Sequence, residues 1–146
     1  MLLSSCSKDE FKWKTKSKNT LEFIQETDSI LKLQGVSAKD SYGYDQTNPI
    51  KLGVKNRSLA IHYPEKYFKS ITGANGEKVI AFRVKSCCPF KTVNSEPYPY
   101  RNVAVLDVYI VTLQGSEQPP KQLFINFFDQ GKLFAPKGFL VKKIIN

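Results

Sequence analysis

VAVLDVYIVTL, residues 103 to 113, is the stretch on which the fold turns. Valine, isoleucine, threonine and tyrosine dominate it, and such stiff or aromatic side chains pack well on a pleated surface. Nearly every position is apolar, which predicts a central strand covered on both faces. Gln114-Gly-Ser-Glu-Gln-Pro-Pro120 interrupts the run with turn residues, and Gln122-Leu-Phe-Ile-Asn-Phe-Phe128 resumes it. The two segments together predict a hairpin at the centre of an antiparallel sheet.

Upstream, Lys78-Val-Ile-Ala-Phe-Arg-Val-Lys85 alternates, with Val79, Ala81 and Arg83 on one side and Ile80, Phe82 and Val84 on the other, as a half-buried strand does. Pro64-Glu-Lys-Tyr-Phe-Lys-Ser-Ile71 has a different period. Pro64 suits a first helical position, and Tyr67, Phe68 and Ile71 form a stripe at three- and four-residue spacing. Thr72-Gly73-Ala-Asn75-Gly76 then ends the helix with residues that tolerate positive φ. Leu21-Glu-Phe-Ile-Gln25 and Ile30-Leu-Lys-Leu-Gln34 alternate around the turn-forming Glu26-Thr-Asp-Ser29, and both are expected to be strands. The fold class expected is α+β: a single small domain over residues 21–146, dominated by an antiparallel sheet, with one or two short helices.

The totals agree with a folded chain. A hydrophobic content of 41% over 146 residues suits a buried core and excludes wholesale disorder. No run is long enough for a spanning helix, which needs about 18 apolar residues or more. Lys and Arg outnumber Asp and Glu by 22 to 13, a formal charge of +9 that favours phosphate-bearing or anionic surroundings. The charge is spread along the chain without a recognition motif, so nucleic acid is not an expected partner.

Leu3-Ser4-Ser5-Cys6 resembles a lipobox, the bacterial lipoprotein signal of a leucine, two small residues and a cysteine. The thiol of such a cysteine accepts a diacylglycerol and its freed amine can take a third chain, which exceeds what stable anchoring requires. A secretory signal has an apolar stretch of about 7–15 residues, and only Met1-Leu2-Leu3 precede the serines. Either residues 1–5 are the remnant of a signal peptide that begins upstream, with Cys6 as the lipidation site, or Cys6 is an ordinary cysteine of a tail; the residues that follow favour the first. Lys8-Asp9-Glu10 follows at once and is similar to the export signal of surface-displayed lipoproteins of Bacteroidota. Residues 6–20, with lysines at 12, 14, 16 and 18 and Phe11 and Trp13 between them, read as a basic tether.

Ser86-Cys87-Cys88-Pro89-Phe90 is the most specific stretch of the domain. Neighbouring residues of a strand point to opposite faces, so the two thiols can be structural, one inward and one outward. They can also be joined as a vicinal disulfide, whose eight-membered ring is strained and reducible, or serve as a redox site. A catalytic pair would need His62, the only histidine, beside Cys87 or Cys88. His62 sits in Leu59-Ala-Ile-His-Tyr63 and reads as a partly buried structural residue. Zinc would need more soft ligands than these, and no metal or cofactor is expected. Asp107, inside the apolar run, is expected to meet a turn amide or Arg101, and Asp129 closes the next segment.

Tyr42-Gly-Tyr44, Asn48-Pro-Ile-Lys-Leu-Gly53, Gly76-Glu77, Ser86-Cys-Cys-Pro-Phe-Lys-Thr92, Leu106-Asp-Val-Tyr109 and Pro136-Lys-Gly-Phe139 together resemble a family of small lipoproteins from Bacteroidota. The resemblance spans residues 42 to 139. Members are often described as 2-dehydro-3-deoxyphosphooctonate aldolases. That chemistry is normally carried on an (α/β)₈ barrel of about 250 residues with alternating strands and helices. Consecutive strands over residues 21–146 do not fit it.

The expected function is therefore that of a non-enzymatic accessory subunit of an envelope complex, anchored in the outer membrane through Cys6, facing outward and held to an outer-membrane protein partner. Tyr42, Tyr44, Tyr98 and Tyr100 are the expected contact surface. A small carbohydrate- or ligand-binding module, with a pocket lined by Tyr42, Tyr44 and Tyr98, is the alternative. A thiol-active enzyme using Cys87 and Cys88 is the second.

Overall fold

The computed structural model describes residues 30–53, 62–95 and 102–143. Cys6, Lys8, Asp9, Glu10, Trp13, Tyr98, Tyr100, Arg101 and residues 21–25, where a strand is expected, lie outside the described residues.

The described part is β-dominated. In chain order it contains β1 (Ile50–Lys51), α1 (Tyr63–Lys69), β2 (Ile71–Gly73), β3 (Val79–Lys91), β4 (Val103–Leu113), β5 (Lys121–Asn126) and β6 (Phe139–Val141). Four of these form one sheet in the order β1-β5-β4-β3. The run from 103 to 113 is strand β4 as expected, and β4 and β5 are the two central, antiparallel strands. The sheet is not wholly antiparallel, because β1 joins β5 in parallel. Strands β2 and β6 form a separate antiparallel pair.

Strand β4 is covered on both faces, but at different ends. At its C-terminal end the odd-numbered side chains Tyr109, Val111 and Leu113 meet the main core, with Ile50, Leu52, Tyr67, Leu123, Ile125 and Phe139. At its N-terminal end the even-numbered Leu106 and Val108 meet Phe124 in a second cluster, against which Cys87, Cys88 and Phe90 pack. An alternating strand can serve two cores in this way because each face is a separate surface.

Helix α1 begins with Pro64 in its first turn and buries Pro64, Tyr67 and Phe68. It stops sooner than the stripe predicts. The buried Ser70 hydroxyl donates to the Lys66 carbonyl at 2.7 Å and accepts from the Leu31 amide at 2.6 Å. A hydroxyl that serves the backbone in this way favours a helix end. Ile71, expected on the helix, instead opens β2 opposite Val141. Thr72 and Gly73, expected to end the helix, lie in β2 instead, and the turn is confined to residues 74–76, with Gly76 at φ 84°.

Residues 30–34 do not form the expected strand. Their polar groups are satisfied elsewhere: the Leu31 amide by Ser70, and the Gln34 amide by the Leu133 carbonyl at 2.8 Å. Only a single bridge, Val36 with Ala135, continues the pairing. Beyond β1, Gly53 comes so close to residues 128–129 that a Cβ there would lie 2.5 Å from the Phe128 carbonyl carbon. Only glycine permits that approach.

Candidate functional site

Period-two alternation decides which side chains meet behind the main core. Ile50 pairs with Ile125 and Lys51 with Asn126. Both isoleucines are fully buried in the main core, so Lys51 and Asn126 project from the opposite face. Asp107 pairs with Ile125, which sets Leu106 beside Asn126, and Leu106 pairs with Cys87. One row, Lys51, Asn126, Leu106 and Cys87, thus crosses all four strands on one face.

A cleft of about 490 Å³ opens along this row. Gln46, Thr47, Pro49 and Lys51 line one side; Cys88, Pro89, Phe90 and Lys91 line the other, and Leu106, Asn126 and Asp129 complete it. A volume of this size is in the range of about 300–1,000 Å³ usual for small-molecule sites.

The wall from Cys88 to Phe90 owes its shape to a bulge. The pairing register of β3 slips between Cys87 and Pro89, and Cys88 takes φ 68°. A positive φ in a residue with a side chain costs about 1–3 kcal/mol, and such positions cluster where function or local structure demands them. Here the two sulfurs are joined, Cα to Cα 3.7 Å. In that form neither sulfur is a thiolate, the species that nucleophilic and metal chemistry require.

Asp129 organises the far end. Its Oδ1 accepts from the Thr92 hydroxyl and from Asn94 Nδ2 at 2.9 Å, and its Oδ2 from Asn126 Nδ2 at 3.0 Å. Asn126 Oδ1 in turn accepts from the Phe128 and Asp129 amides at 2.8 and 3.0 Å. Burial alone would raise the Asp129 carboxyl. Hydrogen bonds from Thr92, Asn126 and Asn94 and the charge of Lys51 outweigh it and hold the group below the usual carboxylate range.

The expected contact tyrosines are placed otherwise. Tyr42 is 7% exposed, and its hydroxyl accepts from the Phe134 amide at 3.1 Å. It belongs to the main core and cannot present a surface, because a tyrosine with both its ring and its hydroxyl engaged inward is a core residue. Tyr44 is half-buried and donates to the Lys137 carbonyl; burial pushes its pKa up to about 12. Tyr42 lines a cleft of about 360 Å³ with Lys39, Asn48 and Phe134, Tyr44 does not line it, and Tyr98 lies outside the described residues.

His62 is exposed at the start of α1 and is not among the residues lining the cleft. Asp107 meets Arg83, with Nε to Oδ1 at 3.2 Å, and accepts from the Ser86 hydroxyl at 2.9 Å. The expected partner, Arg101, lies outside the described residues. Among the described residues no group of three or more His, Cys, Asp and Glu side chains is gathered for a metal.

The sequence hides the cleft because its members come from four separated stretches, and only the registers of β1 on β5, β5 on β4 and β4 on β3 bring them into one row. Comparison with protein-family models, curated proteins and solved structures finds no match to this chain.

Proposed function

We propose that this α+β domain is a non-enzymatic interaction subunit displayed at an outer membrane through lipid on Cys6, with Lys8-Asp9-Glu10 directing it outward. The observation that carries the reading is the surface of β3. This strand runs thirteen residues at the edge of the sheet, and no described strand pairs with its outer side along that length. Its more apolar alternation faces solvent. Val79 and Ala81 pack on the main core, whereas Phe82 is 62% and Val84 50% exposed. Ile80 and Ile110, on the same face as Phe82, are only partly covered.

An open edge and an apolar face invite a partner strand, and natural proteins guard such edges with charge, proline and bulges. All three are present in β3: Arg83, Lys85 and Lys91, with Pro89 and two register slips. The strand carries no acidic residue, so a second copy of β3 would be repelled while an acidic extended segment of another protein would be attracted. The occupant is therefore an acidic strand from a membrane partner rather than another copy of this chain.

The test is purification from mildly solubilised outer membranes of a Bacteroidota host through a C-terminal tag. A stoichiometric partner is expected with the native chain. Phe82→Glu should lose it while the protein stays in the membrane, and Cys6→Ser should lose the membrane itself. Recovery of the same partner with Phe82→Glu would refute the β3 surface.

A further inference from the structure

We propose that the cleft beside the Cys87–Cys88 disulfide is a binding site for a carboxylate-bearing saccharide. It is separate from the β3 surface around Phe82 and uses different side chains.

Charge comes first. Lys51, Lys91 and Asp129 are the ionisable residues of the cleft. Thr92, Asn94 and Asn126 hold the Asp129 carboxylate in place by hydrogen bonds, and its single negative charge set against the two lysines leaves the cleft with a formal charge of +1. The two lysines are exposed at opposite walls, one on β1 and one at the end of β3. An anion between them gains charge-assisted hydrogen bonds at little cost in desolvation.

Shape decides what kind of anion. Between the lysines the wall is Cys88, Pro89 and Phe90 over Leu106. The disulfide ring and the pyrrolidine ring are rigid and present sulfur and C–H surface, an apolar platform that loses no rotamer freedom on binding. A pyranose has such a C–H face, with hydroxyls around its rim. Gln46 and Thr47 supply amide and hydroxyl groups along the opposite wall. A bare phosphate would have no use for the platform and would call for backbone amides gathered at a glycine-rich turn. The lining contains none, since no glycine borders the cleft. A uronic acid uses every part: the carboxylate takes a lysine, the ring face lies on the Cys88–Pro89 platform, and the hydroxyls meet Gln46 and Thr47.

Isothermal titration of the full chain with trimers of galacturonic, glucuronic and mannuronic acid at physiological salt tests the proposal. Maltotriose serves as the neutral counterpart. One-to-one binding of at least one uronide is expected, with maltotriose much weaker. Lys91→Ala combined with Lys51→Ala should weaken the uronide by about tenfold or more, the loss of one net contact of roughly 1.4 kcal/mol. Lys142→Ala, which removes a charge outside the cleft, should change it less than about twofold. Binding of no uronide, equal binding of maltotriose, or an equal loss in Lys142→Ala would each overturn the proposal, the last by showing attraction to overall positive charge only.

Discussion

At the scale of single residues, the most informative group is Asp129. Its pKa is lower in the folded protein than the 3.8 of an unstructured chain, so the folded state favours the ionised form. The stability this contributes is present in full above about pH 4 and is lost as pH falls through the lowered folded value, where both states hold the proton. Urea unfolding of the native protein and of Asp129→Asn should therefore show the native protein more stable at pH 7 and the gap closing below about pH 4. A gap of constant size down to pH 2.5 would mean that the charge is not what Thr92, Asn94 and Asn126 hold. The sequence makes Asp129 visible as the end of an apolar segment and conceals two of its three partners, Thr92 and Asn94, which lie more than thirty residues away. Cys87 and Cys88 are the opposite case. Their adjacency alone limits the readings to a few, and the left-handed φ of Cys88 is the local consequence of placing them at a bulge. Asp107 shows what adjacency in sequence conceals: a turn amide or Arg101 is the expected partner, Arg101 lies outside the described residues, and the carboxylate meets Arg83 and Ser86 across the β3–β4 pairing.

At the scale of elements, period and length are legible, but which side faces inward is not. Strand β4 is read to the residue because nothing but a strand accommodates so continuous a β-branched run. The alternation of β3 is equally plain, yet the side with Ile80, Phe82 and Val84, the more hydrophobic one, is left outward. The main core already sits on the other face under α1, where Phe68 packs on Tyr109 at 5.2 Å between ring centroids. Helix α1 is found and its end misjudged, since a stripe of spacing cannot foresee that Ser70 will serve both Lys66 and Leu31. This division yields a contrast within one sheet. Phe82→Ser should leave stability within about 0.5 kcal/mol of the native value, as surface substitutions do. Leu123→Ala, at a position with no exposure, should cost about 2–5 kcal/mol. Denaturant midpoints of the two variants measure the difference, and a large loss from Phe82→Ser would place that ring in a core after all.

At the scale of the molecule, the sheet is a wall with one core on one face at one end and a smaller cluster on the other face at the other end. Among the described residues nothing covers the β3 surface, and the Lys51–Lys91 cleft opens beside the smaller cluster. Composition announces a folded, basic, β-rich chain, and it announces neither surface, because both depend on register across strands distant in sequence. The parallel placement of β1 is the clearest instance: two residues, Ile50 and Lys51, turn a three-stranded antiparallel sheet into a mixed one and supply one lysine of the cleft. The net charge of +9 belongs to this scale too, and on the proposed reading it favours an acidic partner strand over a second copy of β3. The central claim is that β3 is a docking surface for another protein. Its most direct test is a photo-crosslinking amino acid at position 82 in living cells, with position 142 as the control. The account predicts one adduct of defined mass from position 82, suppressed by Lys85→Glu, and none from position 142. No adduct at 82, or the same adducts from both positions, would contradict it.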